Sequence, residues 1–143
     1  MRFAVVISRY NTEITDGLLS GTLELLREKG VEPAQEDIID APGAFEIPLL
    51  AQTLARTKKY AGVICLGCVI KGDTAHFEFI SLGASIGILQ ASLATETPIA
   101  FGILTTYTDE QAETRAKPGA HNKGREAANA CYQSVQVLNR IRT

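Results

Sequence analysis

His76 ends the stretch Gly67-Cys68-Val69-Ile70-Lys71-Gly72-Asp73-Thr74-Ala75-His76, in which an apolar run from Ala61 to Ile70 gives way to glycine, lysine, a hydroxyl and an imidazole. A helical pattern begins directly after it. A buried strand that feeds a Gly-rich loop and then a helix N-terminus makes an anion site, because free backbone N–H groups converge there and the helix dipole favours negative charge. An imidazole titrates near neutral pH and can move protons. A phosphate cradle beside a proton-transfer group points to an enzyme acting on a phosphorylated small molecule. Lys71 and Arg115 are charge partners for a single phosphate.

Nucleotide readings of the same stretch fail at their diagnostic residues. Gly67 and Gly72 have the glycine spacing of a phosphate-binding P-loop, but Asp73 stands where that motif needs lysine, and it would repel phosphates. The first strand is followed by Ser8-Arg9-Tyr10-Asn11, not by the glycine fingerprint of a dinucleotide site. Cys65 and Cys68 form a C-x-x-C, yet residues three apart on a strand point to opposite faces. With three cysteines and two histidines in the chain, buried small hydrophobes are a better reading than a redox pair, a disulfide scaffold or a metal site. No metal or cofactor is expected. Other candidates have plain structural readings when taken singly. Glu46 can serve a helix dipole, Tyr10 and Phe101 can be core aromatics, and Arg115 can be a solvated helix-end charge.

The elements that must position these residues alternate along the chain. The pattern predicts a strand at 2–8, then a helix over about 14–29 with Leu18, Leu19, Thr22, Leu25 and Leu26 on one face and Gly30 closing it. A short strand is expected at 36–40, a turn at Pro42-Gly43-Ala44, and a helix over 45–56 with Ile47, Leu50, Ala51 and Leu54 inward. Residues 62–69 read as a central parallel strand, apolar on both faces. A helix follows from His76 to about Ala94, then a strand at 99–104 behind Pro98. Thr108-Asp109-Glu110-Gln111 is a capping box for a short helix to Ala116, and a last helix spans about 122–140. Such alternation gives one parallel sheet with helices on both faces. Ligands bind outside the carboxyl ends of such strands. The loops 8–11, 40–46, 69–76 and 104–108 all lie there.

Length and composition narrow the function classes. At 143 residues, 45% hydrophobic and 21% charged with net charge -2, the chain reads as a single domain, 1–143, with a real core and no polyanion partner. There is no basic stripe and no Trp, which excludes a nucleic-acid partner from the reading. No apolar run is expected to approach the roughly 20 residues of a membrane span. The N-terminus reads as a first strand and not as a signal segment, so a cytoplasmic protein without membrane partners is expected.

As a set, the motif blocks resemble the lumazine synthases of riboflavin biosynthesis along nearly the whole chain. Ser8-Arg9-Tyr10-Asn11 is similar to the family's small-Arg-aromatic-Asn turn, and Pro42-Gly43-Ala44-Phe45-Glu46-Ile47-Pro48 matches its most recognisable heptapeptide. Leu66 to Gly72 with Thr74 and His76 resembles its loop, with lysine for the usual arginine. Phe101-Gly102-Ile103-Leu104-Thr105-Thr106, Glu110-Gln111-Ala112 and Asn122-Lys123-Gly124 complete the set. The resemblance implies a flavodoxin-like three-layer αβα sandwich around a four-stranded parallel sheet. It also implies condensation of 5-amino-6-(D-ribitylamino)uracil with 3,4-dihydroxy-2-butanone 4-phosphate to 6,7-dimethyl-8-ribityllumazine, phosphate and water.

By the same resemblance His76 is the general acid/base. Tyr10, Ala44, Phe45, Glu46, Phe101 and the backbone of Cys68, Val69 and Ile70 would hold the ribitylaminouracil. Asp73, Thr74 and Arg115 would hold the butanone phosphate. Lys123 would add charge, and Glu126 would orient His76. The family's sites lie between subunits of a homopentamer, with Phe101 and Arg115 supplied by a neighbour, and riboflavin synthase is a further partner that the resemblance implies. Non-catalytic homologues that bind a ribityl-pterin or flavin, or that only build a shell, are the alternative. Several positions depart from the family. Asp73 replaces a small neutral residue, Gly83 and Ile86 replace a glutamate and a lysine, and His121 replaces a glycine. The chain also starts at its first core strand, where many members carry further residues that pair with a neighbour's sheet.

Overall fold

The computed structural model describes residues 1–143. Its sheet contains β1 (Phe3–Ser8), β2 (Ile38–Ala41), β3 (Gly62–Ile70) and β4 (Ile99–Thr106), all parallel in the order β2-β1-β3-β4. The helices are α1 (Thr12–Glu28), α2 (Ile47–Arg56), α3 (His76–Thr95), α4 (Asp109–Ala116) and α5 (Lys123–Arg142). Short 3₁₀ turns at Gln35–Asp37 and Ala44–Glu46 precede β2 and α2. The register sets Ser8 beside Ala41 and Ile70 beside Thr106, so the four strands end together at one edge of the molecule. This is the three-layer α/β architecture that the alternation predicts.

Each face of the sheet has its own core, as alternating strand residues require. Phe3, Val5, Ile7, Ile64, Leu66 and Cys68 pack under α1, α4 and α5 with Leu18, Leu26, Ala112 and Ala128. Ala4, Val6, Val63, Cys65 and Ile103 pack under α2 and α3 with Ile47, Ala51, Ala84 and Ile88. Cys65 and Cys68 therefore face opposite layers, as their spacing predicts. Burial pushes the Cys68 thiol up to about 11 and Cys131 up to about 12, and raises Cys65 further. All are protonated thiols at neutral pH, unsuited to attack a disulfide or hold a metal. Helix α1 meets α5 closely enough that a Cβ on Gly124 would collide with the Leu18 carbonyl. Gly30 closes α1 at φ +78, a left-handed conformation that glycine adopts without steric cost.

Several boundaries differ from expectation, each for a local reason. The second strand starts at Ile38 and not at Glu36, because the Asp37 carboxylate accepts from the Ala34 N–H (3.0 Å) and folds 35–37 into a turn. The second helix, α2, starts at Ile47, not Phe45, since Pro48 fits only a first helical turn. Strand β4 runs on to Thr106, paired with β3 throughout. Tyr10 and Phe101 are not core aromatics: they are 72% and 36% exposed. Finally, α3 is long and apolar enough to cross a membrane by length and composition, contrary to the expectation that no apolar run approaches that length. Ser81, Ser85, Gln90 and Ser92 interrupt the run without lowering the helix average much.

Candidate functional site

The first cavity, about 520 Å³, opens at the carboxyl edge of β1, β2 and β3. The β1–α1 turn brings Tyr10 and Asn11, the β2–α2 turn brings Gly43, Ala44, Phe45 and Glu46, and the end of β3 brings Cys68, Val69 and Ile70. Gly72, Thr74, His76, Phe77 and Ile80 come from the next loop and the start of α3, and Asp109 from α4. The chain thus gathers an aromatic ring, a carboxylate, strand-end backbone, a hydroxyl and an imidazole around one space.

Local bonds hold these groups in place. Arg9 spans the turns, donating to Asp40 (2.8 Å) and Asp16 (2.9 Å), and so fixes the chain on which Tyr10 stands. Asn11 sits in the left-handed region (φ 61), and its amide donates to the Cys68 carbonyl at 3.2 Å. That carbonyl is therefore already engaged, leaving its second lone pair to meet a ligand, while Val69 and Ile70 continue the ladder with β4. The Thr74 hydroxyl accepts from the His76 N–H (3.3 Å) and caps the approach to α3. Gly83 explains its own departure: a Cβ there would lie 2.7 Å from the ring of Phe45, so the missing side chain makes room for a cavity aromatic.

A second cavity, also about 520 Å³, lies at the open edge of β4. It holds Phe101, Arg115, His121, Lys123 and Glu126. The Arg115 guanidinium donates to the Gln111 carbonyl of its own helix at 3.0 Å. Asn122, 2% exposed, shapes this side: its amide donates to the carbonyls of Gly17 (3.1 Å), Ala116 (3.0 Å) and Lys117 (3.0 Å). Its side-chain oxygen accepts from the Arg125 N–H (3.0 Å) and caps α5.

Within one chain, then, the expected site residues divide. His76, Tyr10, Ala44, Phe45, Glu46, Cys68, Val69, Ile70 and Thr74 share the first cavity, whereas Phe101, Arg115, Lys123 and Glu126 share the second. Asp73 is exposed on the loop and lines neither. Lys71 lines neither cavity; its ammonium lies over the Tyr107 ring, 5.7 Å from the centroid. Sequence reasoning missed Asn11, Phe77, Ile80 and Asp109 as lining residues. Ile80 was findable, being one helical turn from His76. Asp109 was not, because only the packing of α4 carries it to the end of β3.

Comparison with known proteins adds to this geometry. The sequence profile described as 6,7-dimethyl-8-ribityllumazine synthase matches residues 1–139. The chain is 66% identical over 141 residues to the 6,7-dimethyl-8-ribityllumazine synthase 1 of Caulobacter vibrioides, covering 99% of this chain and 92% of the relative. It is 45% identical over 140 residues to the 6,7-dimethyl-8-ribityllumazine synthase of Salinibacter ruber (98% and 90% covered). It is 47% identical over 141 residues to that of Syntrophus aciditrophicus (99% and 92% covered).

Proposed function

Since the chain belongs to the 6,7-dimethyl-8-ribityllumazine synthase family, we infer that it condenses 5-amino-6-(D-ribitylamino)uracil with 3,4-dihydroxy-2-butanone 4-phosphate. The product is 6,7-dimethyl-8-ribityllumazine, in the penultimate step of riboflavin biosynthesis. One observation carries the reading at the level of chemistry: His76 and Thr74 face the same cavity as Tyr10, Phe45, Glu46 and the strand-end residues Cys68, Val69 and Ile70. The Tyr10 ring and the Val69 and Ile70 backbone receive the pyrimidine, and Glu46 accepts from ribityl hydroxyls. The primary amine attacks the ketone and water leaves as the imine forms. Phosphate departs by elimination, and ring closure expels a second water. Each step moves a proton. His76 serves as general acid/base, a role typically worth about 10²–10⁴-fold. The remaining acceleration comes from holding two substrates in register.

Phosphate recognition needs both cavities. Asp73 and Thr74 offer N–H groups on one side, and Arg115, with Lys123 nearby, supplies positive charge on the other. Because Arg115 and His76 lie in different cavities of one chain, a complete site forms where the second cavity of one copy meets the first cavity of the next. Glu126 then reaches His76 across the same contact, and Phe101 closes the aromatic pocket. A homopentamer is the assembly we assign. Phe79, Leu82, Ile86, Leu89 and Leu93 support it: all are exposed in the single chain. Their alternating three- and four-residue spacing is that of a helix seam packed against other helices. Riboflavin synthase, as consumer of the product, and a cytoplasmic location belong to the same reading.

The test is to mix purified protein with both substrates and follow lumazine formation against an enzyme-free control, since the condensation also proceeds slowly unaided. Acceleration that falls at least about 10²-fold in His76→Ala with assembly intact is the expected result. Assembled protein that does not accelerate the reaction would favour a ligand-binding or shell-forming role instead.

A further inference from the structure

Resting on the reading above, we propose that Tyr107 is a positioning residue that braces the loop from Lys71 to His76. That loop is exposed at every residue from Lys71 to His76. Lys71 donates its N–H to Thr106 (2.9 Å), and the Thr74 hydroxyl accepts from His76 N–H (3.3 Å). No hydrogen bond joins Gly72, Asp73 or Thr74 to another element. Gly72 is open on all sides, with nothing within 4 Å of where a Cβ would stand. A glycine-containing loop held so lightly would sample many shapes, and both Thr74 and His76 depend on its shape.

The Tyr107 ring touches both ends of this loop. The Lys71 ammonium lies 5.7 Å from its centroid, before the loop, and the Phe77 ring lies 6.0 Å away at 46°, after it. Cation–π and tilted aromatic contacts of this kind are attractive at these separations. Tyr107 is itself anchored, since its N–H donates to the Gln111 side chain (2.9 Å) and it follows the buried Thr106 at the end of β4. The ring is 66% exposed and lines neither cavity. Core packing within the chain does not account for an aromatic here, whereas bracing does. The brace also fixes where the Lys71 charge sits relative to the phosphate end of the site.

Two readouts on the assembled protein test the proposal. Tyr107→Ala should lower kcat/KM for the butanone phosphate about tenfold, leave the KM for the pyrimidine unchanged, and speed amide hydrogen exchange at residues 72–75. Tyr107→Phe keeps the ring and should match the wild type in both. Combining Tyr107→Ala with Lys71→Met should cost less than the sum of the single effects. Wild-type exchange and kinetics in Tyr107→Ala, or equal damage in Tyr107→Phe, would overturn the brace. If wild-type protein fails to turn over at all, the reaction assigned above is wrong, while the exchange comparison still decides the role of Tyr107.

Discussion

Asn122 supports the second cavity without lining it. Its amide has two hydrogens and three carbonyl acceptors, so one hydrogen is shared, and its oxygen caps α5. Asn122→Ala takes the donor from these three carbonyls, of which that of Ala116 is buried, and removes the cap. A loss of about 2–4 kcal/mol in denaturant unfolding is expected, together with a raised KM for the butanone phosphate as Arg115 shifts. Asp37 plays a comparable part at the opposite edge of the sheet. Burial alone would raise its carboxyl, but the Ala34 N–H, Arg2 and the Tyr60 hydroxyl outweigh that and hold it below the ordinary 3.8. A depressed carboxylate pKa stabilises the fold above the unfolded value, and that contribution disappears as pH falls through the folded value. Asp37→Asn should therefore be less stable than wild type at neutral pH, and the two melting curves should converge below about pH 4. His76 and Arg115 were singled out from residue type and position, whereas Glu46 entered only through the family resemblance. The parts played by Asn122 and Asp37 were not legible, because their partners Gly17 and Tyr60 come from distant parts of the chain.

Among the elements, the order of strands and helices follows directly from hydrophobic period. The boundary errors came from side chains that compete with the backbone, as Asp37 does before β2, and from the first-turn preference of Pro48. In helix α3, Ala84, Ile88 and Ala91 pack inward. The outer row of Phe79, Leu82, Ile86, Leu89 and Leu93 has no partner in the chain. Ile86, read from sequence only as a lost interfacial charge, belongs to that row. Leu89→Glu places a charge in the proposed seam without touching the inward face. The isolated chain should remain folded by circular dichroism, while sedimentation shows smaller species and lumazine synthesis falls in step. Full assembly in that variant would move the contact to another surface.

At the scale of the molecule, parallel strands ending together make one ligand edge, and that much was predictable from topology. His76 and Arg115 occupy separate cavities of one chain, which supports the proposal, already implied by the family resemblance, that a second copy completes the site. The most direct test is complementation. His76→Ala and Arg115→Ala chains are prepared separately, then unfolded and refolded as a mixture so that subunits assort at random. Each variant alone should be nearly inactive. In a mixed ring, roughly a quarter of the contacts join an intact His76 to an intact Arg115, so about a quarter of wild-type activity should return. A mixture no more active than its separate components, at wild-type assembly size, would contradict a site shared between subunits.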